Sequence, residues 1–258
     1  MAAQIAYKIA NCYSELTVKS KRKREQNQLS IELVIFDCDG VVIDSEVISA
    51  RVLIAHLGSV GVNVDVAHFR SHFLGRSFPK VVAEVRALYG VTLPHDFESS
   101  YRATLLKAFE DELKPMPGVI DVLAALPVAS CIATSSSPPR AQRSLQLTGL
   151  LPHFEGQIYT ASEVANGKPA PDLFFHAAKQ MGCAPENCLV VEDSVPGIRA
   201  ALAANMRVLH FTGGSHLKGI DGLPGLENLN VSAFDNWAKF FDIVPQLRDR
   251  ALPGGSCV

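Results

Sequence analysis

The chain has 258 residues, 48% hydrophobic and 19% charged, enough for one large α/β domain or a core with a modest inserted domain. A net charge of −2 gives it no general attraction for nucleic acid or an anionic membrane. Its longest apolar runs fall far short of the ~20 residues that span a bilayer.

Residues 1–30 read as an extension. The block Lys19-Ser-Lys-Arg-Lys-Arg24 and the Glu-Gln-Asn-Gln that follows bury little, which favours a solvated leader over a nucleic-acid arm. From Ile31 the pattern alternates. β-rich runs at 31–36, 128–133, 156–160, 188–192 and 206–211 are separated by helical patterns near 118–126, 139–148, 171–181 and 196–204. That alternation predicts an α/β fold: a Rossmann-like parallel sheet covered by helices, with ligands at the carboxyl ends of the strands.

One interval departs from the alternation. Residues 45–113 carry only helical patterns, Glu46–Leu57, Val66–Phe73, Pro79–Tyr89 and Asp96–Leu113. They predict a small α-helical domain inserted after the first strand and closed by Lys114-Pro-Met-Pro-Gly118. The core is then 31–44 and 114–245, with a tail at 246–258.

Six cysteines (Cys12, Cys38, Cys131, Cys183, Cys188, Cys257) have neither disulfide-framework nor zinc-ligand spacing. With no secretory signal, reduced thiols in a cytoplasmic protein are expected, and nothing calls for an oligomer rather than a monomer.

The chemistry lies at the strand ends. Asp37 and Asp39 follow the first strand, Thr134-Ser-Ser-Ser137 the second, Lys168 the third, and Glu192-Asp193-Ser194 the fourth. In a parallel sheet these loops share one edge, so four carboxylates, one ammonium and several hydroxyls converge. Carboxylates packed so closely repel unless a cation holds them. Oxygen ligands without imidazole or thiolate select Mg²⁺.

Phosphoryl transfer fits that inventory. Asp37 serves as carboxylate nucleophile, forming an aspartyl-phosphate, and Asp39, on the same side of the extended chain, serves as general acid and base. Asp37, the Asp39 main-chain carbonyl and Asp193 hold the metal. Ser135, Ser136 and the following amides bind phosphate oxygens at a helix start, and Lys168 neutralises developing charge.

These residues are where the sequence resembles the haloacid dehalogenase superfamily. The matching motifs are Phe36-Asp-Cys-Asp-Gly-Val41, Ala133-Thr-Ser-Ser136, Gly167-Lys-Pro-Ala-Pro-Asp172 and Val191-Glu-Asp-Ser-Val-Pro-Gly197. The helical insertion resembles the cap of the subgroup containing β-phosphoglucomutase and phosphoglycolate phosphatase. The resemblance implies a Mg²⁺-dependent phosphatase of a small phosphorylated metabolite, a sugar phosphate or phosphosugar acid, using Asp37, Asp39, Ser135, Lys168 and Asp193 as above. Glu192 would be a metal ligand or stand behind one.

Alternatives are a sugar phosphomutase and a non-catalytic phospho-acceptor module. Ser49 stands where the mutase of this subgroup has a cap histidine, which favours hydrolysis. Asp39 disfavours dehalogenation, because the dehalogenases of the superfamily generally lack the second Asp. The loop Phe73-Leu-Gly-Arg-Ser77 resembles the subgroup's specificity loop, with Gly75 for a tight turn and Arg76 and Ser77 for substrate contacts. Phe211-Thr-Gly-Gly-Ser-His216, near the strand-end edge, resembles a segment of some bacterial sugar-phosphate phosphatases and reads equally as a plain Gly-rich loop, with His216 not expected to be a ligand.

Overall fold

The computed structural model describes residues 30–220, 224–227 and 229–248. The basic block at 19–24, Cys12, Cys257 and the tail from 249 lie outside those residues. Six parallel strands form one sheet: β1 (Leu33–Phe36), β2 (Ala129–Thr134), β3 (Ile158–Thr160), β4 (Cys188–Glu192), β5 (Arg207–Phe211) and β6 (Ser232–Phe234). Their spatial order is β3-β2-β1-β4-β5-β6.

The first strand is apolar on both sides because the sheet is covered on both faces. Alternation sends Leu33 and Ile35 into a layer with Leu173, Phe174 and Ala200. Val34 and Phe36 enter the opposite layer, with Phe154, Phe211 and Trp237. Cys38 is fully buried in that second layer, in keeping with a packing role.

Sequence periodicity located five of the strands to within two residues. It missed β6, a three-residue edge strand with two exposed positions, too short and too wet to carry a β-rich pattern. Packing also runs past 245, since Leu247 is buried in the core.

Within residues 45–113, after β1, lie four helices and no strand: α1 (Glu46–Ser59), α2 (Val66–His72), α3 (Phe78–Tyr89) and α4 (Phe97–Glu112). They bury their own cluster, centred on Leu57, Val85, Leu105 and Phe109. The insert leaves and rejoins the sheet side by side, where Asp44 N–H donates to the Lys114 carbonyl at 3.0 Å. The remaining larger helices are α5 (Val119–Ala125), α6 (Pro138–Leu147), α7 (Asp172–Gln180) and α8 (Val195–Ala203). Prolines in the first turns of α3, α6 and α8 fit positions whose N–H groups have no helical acceptor. Among the described residues no helix is long and apolar enough to cross a membrane.

Phe36 is wholly buried, its ring centroid 5.7 Å from Trp237 and 6.1 Å from Phe154. Phe36→Ala is expected to lower the unfolding free energy by about 3–5 kcal/mol, read from urea denaturation.

Candidate active site

The carboxyl ends of β1, β2 and β4 and the loop after β3 close around one pocket, roofed by the helical insert. Asp37, Asp39, Ser135, Ser136, Lys168, Glu192 and Asp193 all line it, as do Gly75 and Arg76 from the insert. Ser77 does not; it stands at the N-terminus of α3.

Lys168 is the fixed point. Its ammonium donates to Asp37 Oδ1 at 2.5 Å, to Glu192 Oε1 at 2.7 Å and to the Ala133 carbonyl at 3.0 Å, with 2% of the residue exposed. Burial alone would lower its proton affinity, but Asp37 and Glu192 outweigh that and raise it. The lysine therefore stays charged. Burial raises the pKa of Asp37 well above the usual carboxylate range; Lys168 opposes the shift, and repulsion from Glu192 and Asp193 reinforces it.

Glu192 is a strut rather than a free ligand. Besides Lys168, its Oε2 accepts from the Asp193 and Ser194 amides at 2.9 and 2.8 Å and from the Ser194 hydroxyl at 2.9 Å. Ser194 Oγ in turn accepts from Gly197 N–H, capping α8. Gly197 has no side chain because Glu192 occupies that space: an added Cβ would lie 1.6 Å from Oε1.

Carboxylate oxygens of Asp37, Glu192 and Asp193 lie within 4.8 Å of one another. Asp193 Oδ2 is buried without a hydrogen bond. His216 Nε2 lies 3.1 Å away but makes no hydrogen bond to it. An orphaned carboxylate oxygen beside Asp37 is what an oxygen-ligated divalent cation requires. Asp37 and Asp193 fit that group, whereas the carboxylate of Glu192 is already committed.

Asp39 faces a different set of partners. Oδ1 accepts from Ser45 Oγ at 2.6 Å and from Arg140 Nη2 at 2.7 Å, and Oδ2 accepts from Ser136 Oγ at 2.6 Å. Burial pushes this carboxyl up, but Arg140 and the two hydroxyls outweigh it and hold it below its ordinary value. Neighbouring acids thus split in proton affinity, Asp37 upward and Asp39 downward.

The expected phosphate-binding serines are otherwise engaged in this closed arrangement. Ser136 bonds Asp39, and its amide donates to Thr134 Oγ1 at 3.0 Å. Ser135 Oγ donates to the Gly75 carbonyl at 3.2 Å, tying the insert's loop to the end of β2. Gly75 takes φ +70°, as expected for a tight turn, and packs where an added Cβ would meet Ser194 Oγ at 2.7 Å. Arg76 Nη1 lies 3.4 Å from Glu84.

Sequence reasoning missed Arg140, Ser45 and Glu46. Arg140 lies on α6, six residues past the end of β2, in no strand-end motif; only the fold turns it back onto Asp39. Glu46 opens α1 and is buried at 8% exposure. Burial and the neighbouring Asp39 raise its pKa to about 8.

Comparison with known proteins places this geometry. A hydrolase family described as haloacid dehalogenase-like hydrolase matches residues 31–205. The 6-phosphogluconate phosphatase of Escherichia coli (strain K12) is 33% identical over 191 residues, 74% of this chain and 86% of that one. The fructose-1-phosphate phosphatase YqaB of the same strain is 30% identical over 178 residues, 67% of this chain and 92% of its own. A conserved haloacid dehalogenase-like protein of unknown function from Agrobacterium tumefaciens str. C58 has a solved structure with TM-score 0.69 and 32% identity, covering 85% of this chain and 100% of that one.

Two outcomes are expected. Gly197→Ala forces the Glu192 carboxylate aside and should destabilise the fold by about 1–3 kcal/mol, although alanine is the better helix former; equilibrium denaturation checks this. Glu46 binds its proton more tightly folded than unfolded, with its pKa shifted from 4.5 to about 8. Its charging penalty is therefore absent below the lower value and grows as pH rises to the upper one. Glu46→Gln should remove that loss, so that metal-free variant and wild type diverge in stability from pH 4.5 to 8; parallel curves would contradict the buried, neutral glutamate.

Proposed function

The chain belongs to the haloacid dehalogenase-like hydrolase family, and from that membership we propose that it is a Mg²⁺-dependent phosphatase of a small sugar phosphate or phosphosugar acid, working through an aspartyl-phosphate. The class, hydrolysis of phosphate monoesters, is that of the relatives named above.

The observation that carries the reading is the position of Asp37. It lines the pocket, and Lys168 fixes one of its oxygens. That contact holds the carboxylate in one orientation for in-line attack and neutralises charge as the phosphoryl group arrives. Asp37, Asp193 and the Asp39 main chain would hold Mg²⁺, which when bound shields the attacking carboxylate from the anionic substrate. Glu192 keeps Lys168 and Asp193 in register.

Asp39 takes the proton-transfer role. Held by Arg140, Ser45 and Ser136, it is ionised, the form that takes a proton from the water that hydrolyses the intermediate once those donors give way. Donating a proton to the leaving oxygen in the first half requires the Arg140 and Ser136 contacts to loosen. Phe69, Phe73, Phe78, Tyr101 and Arg102 of the insert form the outer wall, where the rest of the substrate would lie. Ser49 Oγ is bonded to the Ser45 carbonyl and to Arg140, so position 49 offers no acid–base group for a mutase cycle.

A phosphate-release screen over sugar phosphates and sugar-acid phosphates tests the reading. Turnover should require Mg²⁺, vanish on chelation, and fall roughly 10³-fold or more in Asp37→Asn. Undiminished turnover by that variant would overturn the mechanism, and accumulation of an isomeric sugar phosphate would favour the mutase.

A further inference from the structure

A second depression lies on the outer side of the insert's loop, between α2 and α3 of the insert and α8 of the core. Its charges come from Arg70, Arg76, Lys80 and Arg199, and among the described residues no carboxylate lines it. Lys168 also borders it, but its ammonium is turned inward and spent on Asp37 and Glu192.

Among the described residues, only one of the four outer cations has an acidic partner: Arg76, 3.4 Å from Glu84. Lys80 donates to the main-chain carbonyls of Gly167, at 3.0 Å, and Lys168. Arg199 donates to the Gly225 carbonyl at 3.2 Å, and Arg70 makes no ion pair among the described residues. Burial, and then repulsion from Arg76, lower the proton affinity of Lys80. Like charges gathered in a half-enclosed groove repel for the same reason as the acids of the reactive pocket, and an ion of opposite sign relieves the repulsion. Guanidinium forks suit an oxyanion, and Leu74, Val195 and Pro196 give the groove a partly apolar wall.

We propose that this groove is a second oxyanion site, taking the phosphate, sulfate or carboxylates of a small molecule, separate from the reactive pocket. Arg76, Lys168 and Ser194 border both cavities, and the division between them is the loop itself, where Gly75 packs against Ser194 so closely that no side chain fits between them. The occupant touches the insert through Arg70, Arg76 and Lys80 and the core through Arg199, so it braces the two against each other. Lys80 carries that brace to the loop bearing Lys168.

The proposal does not rest on the proposed activity, and a binding measurement tests it directly. Sulfate is titrated by calorimetry into the full chain, with Mg²⁺ and again after chelation. Arg70→Gln/Arg199→Gln should bind one sulfate fewer than wild type under both conditions, and Arg70→Lys/Arg199→Lys should retain the site with weaker affinity. Equal stoichiometry in wild type and the Gln variant, with thermal melts showing both folded, would overturn it. Steady-state kinetics on a hexose monophosphate and the matching bisphosphate test the separateness. KM for both should be unchanged in the Gln variant, whereas a KM rise for the bisphosphate alone would reassign the groove to the far end of the substrate.

Discussion

A single buried ammonium organises this molecule. Lys168 sits among Asp37, Glu192 and the end of β2, and each of those partners arrives on a different strand. Removing a charge from water costs several kcal/mol unless good partners replace the solvent. Here the replacement is complete only when β1, β2, β4 and the loop after β3 are in register. The ion cluster is thus a condition on the tertiary fold, and it also fixes the carboxylate on which the proposed chemistry depends.

Around that point charge is paired in one cavity and single-signed in the other. The pocket beneath the insert carries Asp37, Asp39, Glu46, Glu192 and Asp193 with Arg76, Arg102, Arg140 and Lys168 among them, whereas the groove outside it carries Arg70, Arg76, Lys80 and Arg199 and, among the described residues, no carboxylate. Local compensation sets what each acid can do. Asp39, surrounded by Arg140 and two hydroxyls, stays ionised, and at Glu46 burial and the neighbouring Asp39 outweigh His216 and Arg140, so that its pKa rises to about 8. Residue type alone does not give these differences; the number of donors within reach does.

The insert contributes closure. Several of its polar groups engage the core around the pocket, among them the Gly75 carbonyl with Ser135, Ser49 with Arg140, Arg102 with Ser137 at 2.5 Å, and Lys80 with the loop that carries Lys168. Its own hydrophobic cluster lets the four helices hold their shape apart from the sheet layers. A reactive centre built on the rigid sheet and covered by a separately packed lid can exclude water without relocating the nucleophile.

The sequence by itself determined the periodic and local features: five of the strands, the four-helix interval, and the four strand-end motifs with Asp37, Asp39, Ser135, Ser136, Lys168 and Asp193. Each of these is carried by spacing within a few residues, which backbone period and strand-end position translate directly into place. Only the tertiary structure decided the partnerships. Arg140 meets Asp39 across 101 residues of chain, Lys168 meets Asp37 across 131, and the Ser135 hydroxyl, at the pocket wall, is spent on the Gly75 carbonyl. Whether Glu192 is a ligand or a strut depended on which amides reached it first, and the cation groove exists only because α2, α3 and α8 face one another. Pairings at that separation leave no period in the chain, because they are selected by packing and by the cost of leaving buried charge unmatched.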